Sequence, residues 1–234
     1  MPERRNKKIM DNSSGGVKLH FDILPRETKK ALDFLSTQEW LRKTDWYLAG
    51  GTALAIQVGH RRSVDLDFFI KHPRFDNIDL LDRISSSGNL EIELNKDNTV
   101  FAKLFEAKIS FIAYPFFVPR QSFMHYGTVK ILSPIDVAVM KVVAISQRGR
   151  KRDFFDMYWC AKNLESLEET IKRLPSQYPS VAHDYHHILK AMVYFEDAES
   201  DPEPEIFFKA DWDEVKSYFN KEIPIIAKKL MGLN

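Results

Sequence analysis

The chain has 234 residues, of which 44% are hydrophobic and 29% charged, and its 34 Lys+Arg against 33 Asp+Glu leave a formal net charge of +1. That balance suits one medium domain or two small ones, excludes a largely disordered chain, and disfavours a protein that coats nucleic acid along its whole surface. A single Cys excludes an internal disulfide framework and a Cys-based zinc site.

Residues 1–16 are charged and polar, without the apolar run of a signal peptide, and read as a flexible arm. Arg4, Arg5, Lys7 and Lys8 belong to a solvated tail in preference to a polyanion contact. No apolar run approaches the roughly 20 residues that a membrane helix needs, so a soluble, cytoplasmic chain without membrane contact is expected. Residues 26–43 carry Ala31, Leu32, Leu35 and Trp40 near helical spacing. Trp46-Tyr47-Leu48-Ala49 reads as a short buried strand that ends in Gly50-Gly51, and residues 52–57 as a helix. Residues 64–70 read as a second strand and 75–86 as a helix. Three strand-like runs follow at 90–94, 99–105 and 108–114, and one more at 126–132. From Ser133 onward the pattern is helical, with Ser133 as N-cap, Pro134 at N1 and Asp136 at N3. Helices are expected over 134–147, 153–162, 166–174, 181–195 and 211–230. The acidic stretch 196–205 between the last two reads as an exposed loop. The fold class is therefore α+β (α/β), a mixed-sheet domain over residues 17–132 followed by an all-helical domain over 133–234.

The chemistry concentrates in residues 50–69. Asp65 and Asp67 stand at i and i+2 of a strand and share a face. Their neighbours Val64, Leu66, Phe68 and Phe69 are apolar, so this strand is packed and its acids need a counter-charge. A divalent cation supplies one, since Mg²⁺ is commonly held by one or two carboxylates while substrate phosphates complete its shell. Gly50-Gly51, between strand and helix, allows close backbone approach to a phosphate at a helix N-terminus, and Thr52 adds a hydroxyl. The unit predicts a site where a nucleoside triphosphate lies on the Gly-Gly turn and Mg²⁺ (or Mn²⁺) on Asp65 and Asp67. The bland readings are a tight turn and a solvated acid pair.

These residues resemble the signature of the DNA polymerase β-like nucleotidyltransferase superfamily: Ala49-Gly50-Gly51, then Asp65-Leu66-Asp67 after a short helix. Gly50 to Ala55, His60-Arg61-Arg62-Ser63 and Asp65 to Phe69 are similar to the AbiEii/AbiGii toxin family. A second motif supports this, formed by Lys141, Ala144-Ile145, Arg148 and Arg152-Asp153-Phe154-Phe155-Asp156-Met157-Tyr158. The resemblance covers residues 20–165. It implies a nucleotidyltransferase-like fold and transfer of a nucleoside monophosphate from an NTP to an acceptor. It points to RNA, tRNA in particular, ahead of protein or a small hydroxyl compound, and implies a cognate antitoxin as partner. On this reading Asp65, Asp67 and Lys141 are catalytic. Gly50, Gly51, Thr52, Arg61, Arg62, Ser63 and Lys141 bind nucleotide, and Arg148, Arg152, Asp153 and Asp156 support them. Superfamily members carry a third acid on a later strand, where Ser110 stands here. Glu91, Glu93 and Glu106 are the acids that could substitute, and a catalytically impaired nucleotide- or RNA-binding module on the same fold is the rival reading. An interaction protein with a vestigial nucleotide site is the third.

Residues 141–152 hold five bases and no acid. Lys141 sits in an apolar helix and needs an anionic partner, which is either a substrate phosphate or a structural carboxylate. Asp153, close to a helix start, is placed to orient Lys141 or Arg152 or to act as a cap. Arg148, Arg150 and Lys151 form the candidate phosphate or RNA-backbone patch, with a solvated turn as the alternative. His183 and His187 have i,i+4 ligand spacing but no accompanying glutamate, which disfavours zinc. Cys160 reads as core.

Overall fold

The computed structural model describes residues 18–232; the flexible arm expected over 1–16 lies outside them. After a 3₁₀ turn at Phe21–Ile23 come α1 (Arg26–Leu35), α2 (Glu39–Arg42), β1 (Tyr47–Ala49), α3 (Gly50–Val58), β2 (Leu66–Ile70) and α4 (Asn77–Ser85). They are followed by β3 (Leu90–Lys96), β4 (Thr99–Leu104), β5 (Ala107–Ala113), β6 (Met124–Tyr126) and β7 (Val129–Ile131). The remaining elements are α5 (Pro134–Arg148), α6 (Lys151–Asn163), α7 (Leu167–Lys172), α8 (Leu174–Gln177), α9 (Tyr185–Ala191), α10 (Glu196–Glu199) and α11 (Trp212–Met231). Among the described residues no helix is long and apolar enough to cross a membrane.

The seven strands form one mixed sheet in the order β3-β4-β5-β2-β1-β7-β6. The central strands β1 and β2 are antiparallel, and each has a parallel neighbour, β7 and β5 respectively. The register sets Ala49 opposite Asp67 and Asp67 opposite Ser110. The end of β1, the start of β2 and the middle of β5 thus meet at one place. Burial follows the pleat: Leu66, Phe68 and Ile70 point into the core while Asp67 and Phe69 face the other way. The core is one continuous cluster running from the sheet into the helices, with Leu48, Leu54, Phe111, Val139 and Phe154 all fully buried. Each such side chain contributes about 1.5 to 3 kcal/mol to folding. Packing of α5 on α3 and α6 ties the helical half to the edge of the sheet that carries the Gly-Gly turn.

Several elements depart from expectation, each for a local reason. The helix expected over 26–43 breaks after Leu35, where the hydroxyls of Ser36 and Thr37 donate back to the carbonyls of Asp33 and Phe34. The strand expected over 126–132 is the β6–β7 hairpin. The strand expected from Val64 begins at Leu66, because the Val64 and Asp65 carbonyls accept side-chain hydroxyls of Thr28 and Thr52. Ser133 caps α5 as expected, accepting from the Asp136 amide. Asp136 does more than favour the dipole. Fully buried, it accepts from the amides of Arg120 and Gln121 and from Gln177 Nε2, fastening the β5–β6 connection and α8 to the start of α5.

The acidic stretch 196–205 is no free loop. Asp201 takes Arg150 at 2.9 Å and the Lys151 amide at 3.0 Å, and Glu199 takes Lys216 and the Trp212 indole at 3.0 Å each. The chain then runs back across residues 60–62. The Glu205 carbonyl accepts from the Arg62 amide, the Phe207 amide donates to the His60 carbonyl, and Arg61 and Ile206 form an isolated antiparallel bridge. A strap from the helical half thereby holds the loop that follows α3.

Candidate active site

The cleft lies between the Gly-Gly turn, β2 and α5, and is a small opening of about 110 Å³. Gly50, Gly51, Thr52, Arg61, Ser63, Asp65, Asp67, Lys141, Arg148, Arg152 and Asp153 line it, together with an apolar wall of Phe69, Val137, Met140 and Ala144. Of the residues singled out from the sequence, Arg62 and Asp156 do not line it. Arg62 is exposed beside Glu205 at 3.6 Å, and Asp156 lies behind the cleft, fully buried.

The two glycines serve the site in different ways. Gly50 takes a φ of +67°, which a side chain would strain, and an added Cβ would lie 3.0 Å from Asp67 Oδ2. Gly51 is needed for space, because a Cβ there would come within 2.2 Å of Arg61 Nη2. The guanidinium of Arg61 is thus pressed against the turn. No side chain caps the N-terminus of α3 and no acid occupies its first turn, so its amide dipole end faces the cleft without an internal anion. Thr52 and Ser63 bond to each other through their hydroxyls at 2.8 Å and Thr52 also donates to the Asp65 carbonyl. Both side chains brace the two halves of the site.

Behind the cleft sits a buried polar cluster. Asp156 receives Arg61 at 2.5 and 2.9 Å, His60 Nε2 at 2.7 Å and Lys141 Nζ at 2.7 Å. Lys141 is also held by Asp153. Burial alone would raise the Asp156 pKa, but Arg61 and Lys141 overcome it and hold the carboxyl well below its usual range. Burial would likewise lower Lys141, yet Asp153 and Asp156 keep it charged with a raised pKa. For His60 burial prevails over the Asp156 hydrogen bond and the pKa falls, so its imidazole is neutral at pH 7. Two atoms of this cluster, His60 Nδ1 and Asp153 Oδ2, are buried and have no hydrogen-bond partner among the described residues. Between the two readings of Lys141, its partners are the carboxylates of Asp153 and Asp156, and it reaches the cleft wall from that position. His60 is the functional neighbour that sequence reasoning missed: a histidine between a helix and a loop carries no signal of a carboxylate 96 residues away.

Asp65 and Asp67 are treated differently. Asp65 has Arg152 at 3.4 Å across the cleft mouth. Among the described residues Asp67 makes no ion pair; the Ser110 hydroxyl donates to its Oδ1 at 2.7 Å. Burial raises the Asp67 pKa, the Ser110 bond opposes this, and the charge of Asp65 adds to it. Ser110 therefore does occupy the position opposite Asp67 where a third acid was expected. Glu91 and Glu93 cannot replace it. They lie on β3, with β4 and β5 between it and β2, and both pair with Lys103. Glu106 sits in the β4–β5 turn at a φ of +69°. Among the described residues no three His, Cys, Asp or Glu side chains converge on a metal-holding cluster.

The basic stretch 141–152 is also dispersed. Arg150 turns to Asp201, and Lys151 is buried with its ammonium 5.4 Å from the Trp212 ring. Only Arg148 and Arg152 of the four later bases open on the cleft. The expected Arg148–Arg150–Lys151 patch does not form, because the strap claims two of its members. His183 precedes α9, and its Nε2 and that of His187 meet the backbone carbonyls of Tyr178 and Ser146. Cys160 is buried in the core, which pushes its thiol pKa up.

A mixed sheet that brings a Gly-Gly helix start against an acid pair, with helices following, is a nucleotidyltransferase architecture. Two solved structures share it. A candidate nucleotidyltransferase from H. pylori matches with a TM-score of 0.50 at 20% identity, covering 88% of this chain and 98% of that one. MenT4, a nucleotidyltransferase toxin from Mycobacterium tuberculosis H37Rv, matches at 0.52 and 13% identity, covering 87% and 86%. At these identities the likeness is one of fold. The family model for the nucleotidyl transferase AbiEii toxin of type IV toxin–antitoxin systems matches residues 34–107 and 88–228. An uncharacterized protein of Aquifex aeolicus (strain VF5) is 34% identical over 186 residues, 76% of this chain and 86% of that protein. The chain belongs to the AbiEii family of nucleotidyltransferase toxins.

Proposed function

We propose that the chain transfers a nucleoside monophosphate from an NTP to an acceptor hydroxyl in this cleft, with Mg²⁺ or Mn²⁺ as cofactor. The observation that carries the reading is Asp67. It is a half-buried carboxylate beside a second acid, facing a helix N-terminus, and among the described residues it makes no ion pair. The donor set fits a hard divalent ion held by one or two carboxylates and substrate phosphates. Asp65 and Asp67 would hold it, and it would supply neutralisation of charge on the phosphates during in-line displacement.

The chain's own residues do the rest. The amides at the start of α3 receive the triphosphate, and the narrow Gly50-Gly51 turn lets it approach. Arg61, packed under Gly51 and anchored by Asp156, keeps that turn in place. Lys141 presents its charge from the cleft wall while Asp153 and Asp156 fix its head. Arg152 meets the outer phosphates at the mouth. Phe69, Val137 and Met140 exclude water on the opposite side. Membership of a toxin–antitoxin family supports a cognate antitoxin as partner; the acceptor in this reading is RNA, tRNA in particular, and the place of action the cytoplasm.

The experiment is transfer of label from α-³²P NTPs in the presence of a divalent ion and total RNA. Asp65→Asn with Asp67→Asn is expected to abolish transfer while circular dichroism and the melting transition stay those of a folded protein. Undiminished transfer by the double variant overturns this reading. Ser110 opposite Asp67 favours one rival, a nucleotide- or RNA-binding module without catalysis; it requires NTP binding with no pyrophosphate released under either ion.

A further inference from the structure

A second groove opens beside the catalytic cleft, between the C-terminal turn of α5 and one side of α9. It measures about 360 Å³, three times the cleft itself and within the size range of small-ligand sites. Arg148 lines both openings, so the two are neighbours on either side of its side chain.

We propose that this groove binds the acceptor as a single-stranded nucleic acid, laying the nucleotides next to its reactive end across Arg148, Lys190 and Tyr194. The proposal rests on the nucleotidyl-transfer reading of the cleft and assigns the acceptor's path to it. Three features of the groove select that chemistry. Arg148 and Lys190 stand on its two sides and neither makes an ion pair among the described residues, although most other cations near the site are engaged. Free cations at either side of a channel suit successive phosphates. Tyr194 keeps 48% of its surface exposed and donates its hydroxyl to Glu196, which fixes the ring at the groove's edge. An exposed, fixed aromatic is a stacking platform for a base of any identity. Ile145 and Ala191 form an apolar floor, and His187 Nε2 fastens α9 to the Ser146 carbonyl at 2.9 Å, so the groove's two walls do not slide apart. A protein acceptor would gain little from two isolated cations and one ring, whereas a strand with alternating phosphates and bases uses all three. The opposing charges are Asp197 in the groove and Glu196 on the Tyr194 hydroxyl at its edge.

The test uses the full chain and a fluorescein-labelled single-stranded RNA of twelve mixed nucleotides, read by anisotropy, with DNA of the same sequence and duplex RNA as separate arms. The wild type is expected to bind single strands at least tenfold more tightly than duplex. Tyr194→Ala is expected to weaken single-strand binding about tenfold. Lys190→Ala is expected to reduce the salt slope by about one. Asp197→Asn is expected to strengthen binding, and it guards against a variant that fails only by misfolding. NTP binding, followed by calorimetry, is expected to be unchanged in all three. Single-strand binding that is absent in the wild type, or unmoved by Tyr194→Ala and Lys190→Ala, overturns the groove. Failure of NTP to bind the wild type overturns the cleft reading instead, and the two failures are read on different instruments.

Discussion

Two groups of carboxylates lie on either side of the same turn and meet opposite fates. Behind Gly51, Asp156 is surrounded by Arg61, Lys141 and the neutral His60, and the two cations balance it together with Asp153. In front of Gly50, Asp67 is half-buried, and among the described residues it has the Ser110 hydroxyl and no cation. Burying an acid is costly in both places, and only the first is balanced by the chain itself. The cluster behind the turn is built to hold a shape. The pair in front retains an unmet demand for positive charge, which is what a site for a metal and a polyphosphate requires.

The comparison is broken most severely at Asp156. Asp156→Ala leaves Arg61 buried without its carboxylate and Lys141 with Asp153 alone, and is expected to cost about 3 to 5 kcal/mol, by urea or thermal unfolding. The pH dependence has a definite sign. The folded carboxyl titrates below its unfolded value of about 3.9, so its contribution is full above that value and is lost as pH falls through the folded pKa. The stability gap between wild type and Asp156→Asn is therefore expected to narrow only in strong acid. An unchanged gap there would mean that the cations do not stabilise this carboxylate.

Gly51→Ala attacks the contact between the two regions. A methyl 2.2 Å from Arg61 Nη2 forces either the turn or the guanidinium to move, at an expected cost of about 1 to 3 kcal/mol. Arg61→Lys, with a slimmer head, is expected to relieve part of that cost, so that the double variant is more stable than the sum of the two single effects. Strict additivity would place the clash elsewhere.

Asp67→Asn carries the opposite sign. It removes a half-buried charge that has no counter-charge among the described residues and keeps an acceptor for Ser110, so the ion-free protein is expected to gain about 1 kcal/mol at neutral pH while losing transfer. Because the folded pKa of Asp67 is raised, its unfavourable charge is absent at low pH and sets in as pH rises from the unfolded value through the folded one. The gain from asparagine should grow across that window and vanish below about pH 3.9. Adding Mg²⁺ is expected to raise the melting temperature of the wild type and not of the variant. Equal shifts in both would separate the ion from Asp67.

What could be read in the sequence follows the same division. Gly50-Gly51, Asp65 and Asp67 are close in the chain, and the short strand-helix-strand unit brings them together by period alone. Lys141 could be flagged as a cation in an apolar helix, and its partners Asp153 and Asp156 were visible one helix later. The role of Arg61 was not legible, since it depends on the space left by Gly51 and on an acid 95 residues away. The strap was hidden for a related reason. Residues 200–210 are irregular, so no hydrophobic period marks where they lie, and their contacts with His60 and Arg62 run through backbone groups that any sequence possesses. An acidic run with two prolines looks the same whether it faces water or Arg150.

That ambiguity yields the smallest predicted effect. Arg150 is half exposed and pairs with Asp201 on the strap, so Arg150→Ala is expected to cost under about 1 kcal/mol, the usual worth of a surface ion pair. It should also leave single-strand binding unchanged, whereas Lys190→Ala, on the groove wall, should weaken it. By sequence Arg150 belongs to the candidate phosphate patch and Lys190 is not singled out. They differ in that Arg150 already has its anion and Lys190 makes no ion pair among the described residues. Equal losses of RNA affinity in the two variants would mean that the strap gives up Arg150 when a polyanion arrives. The compensated side of the molecule would then be able to change into the uncompensated kind.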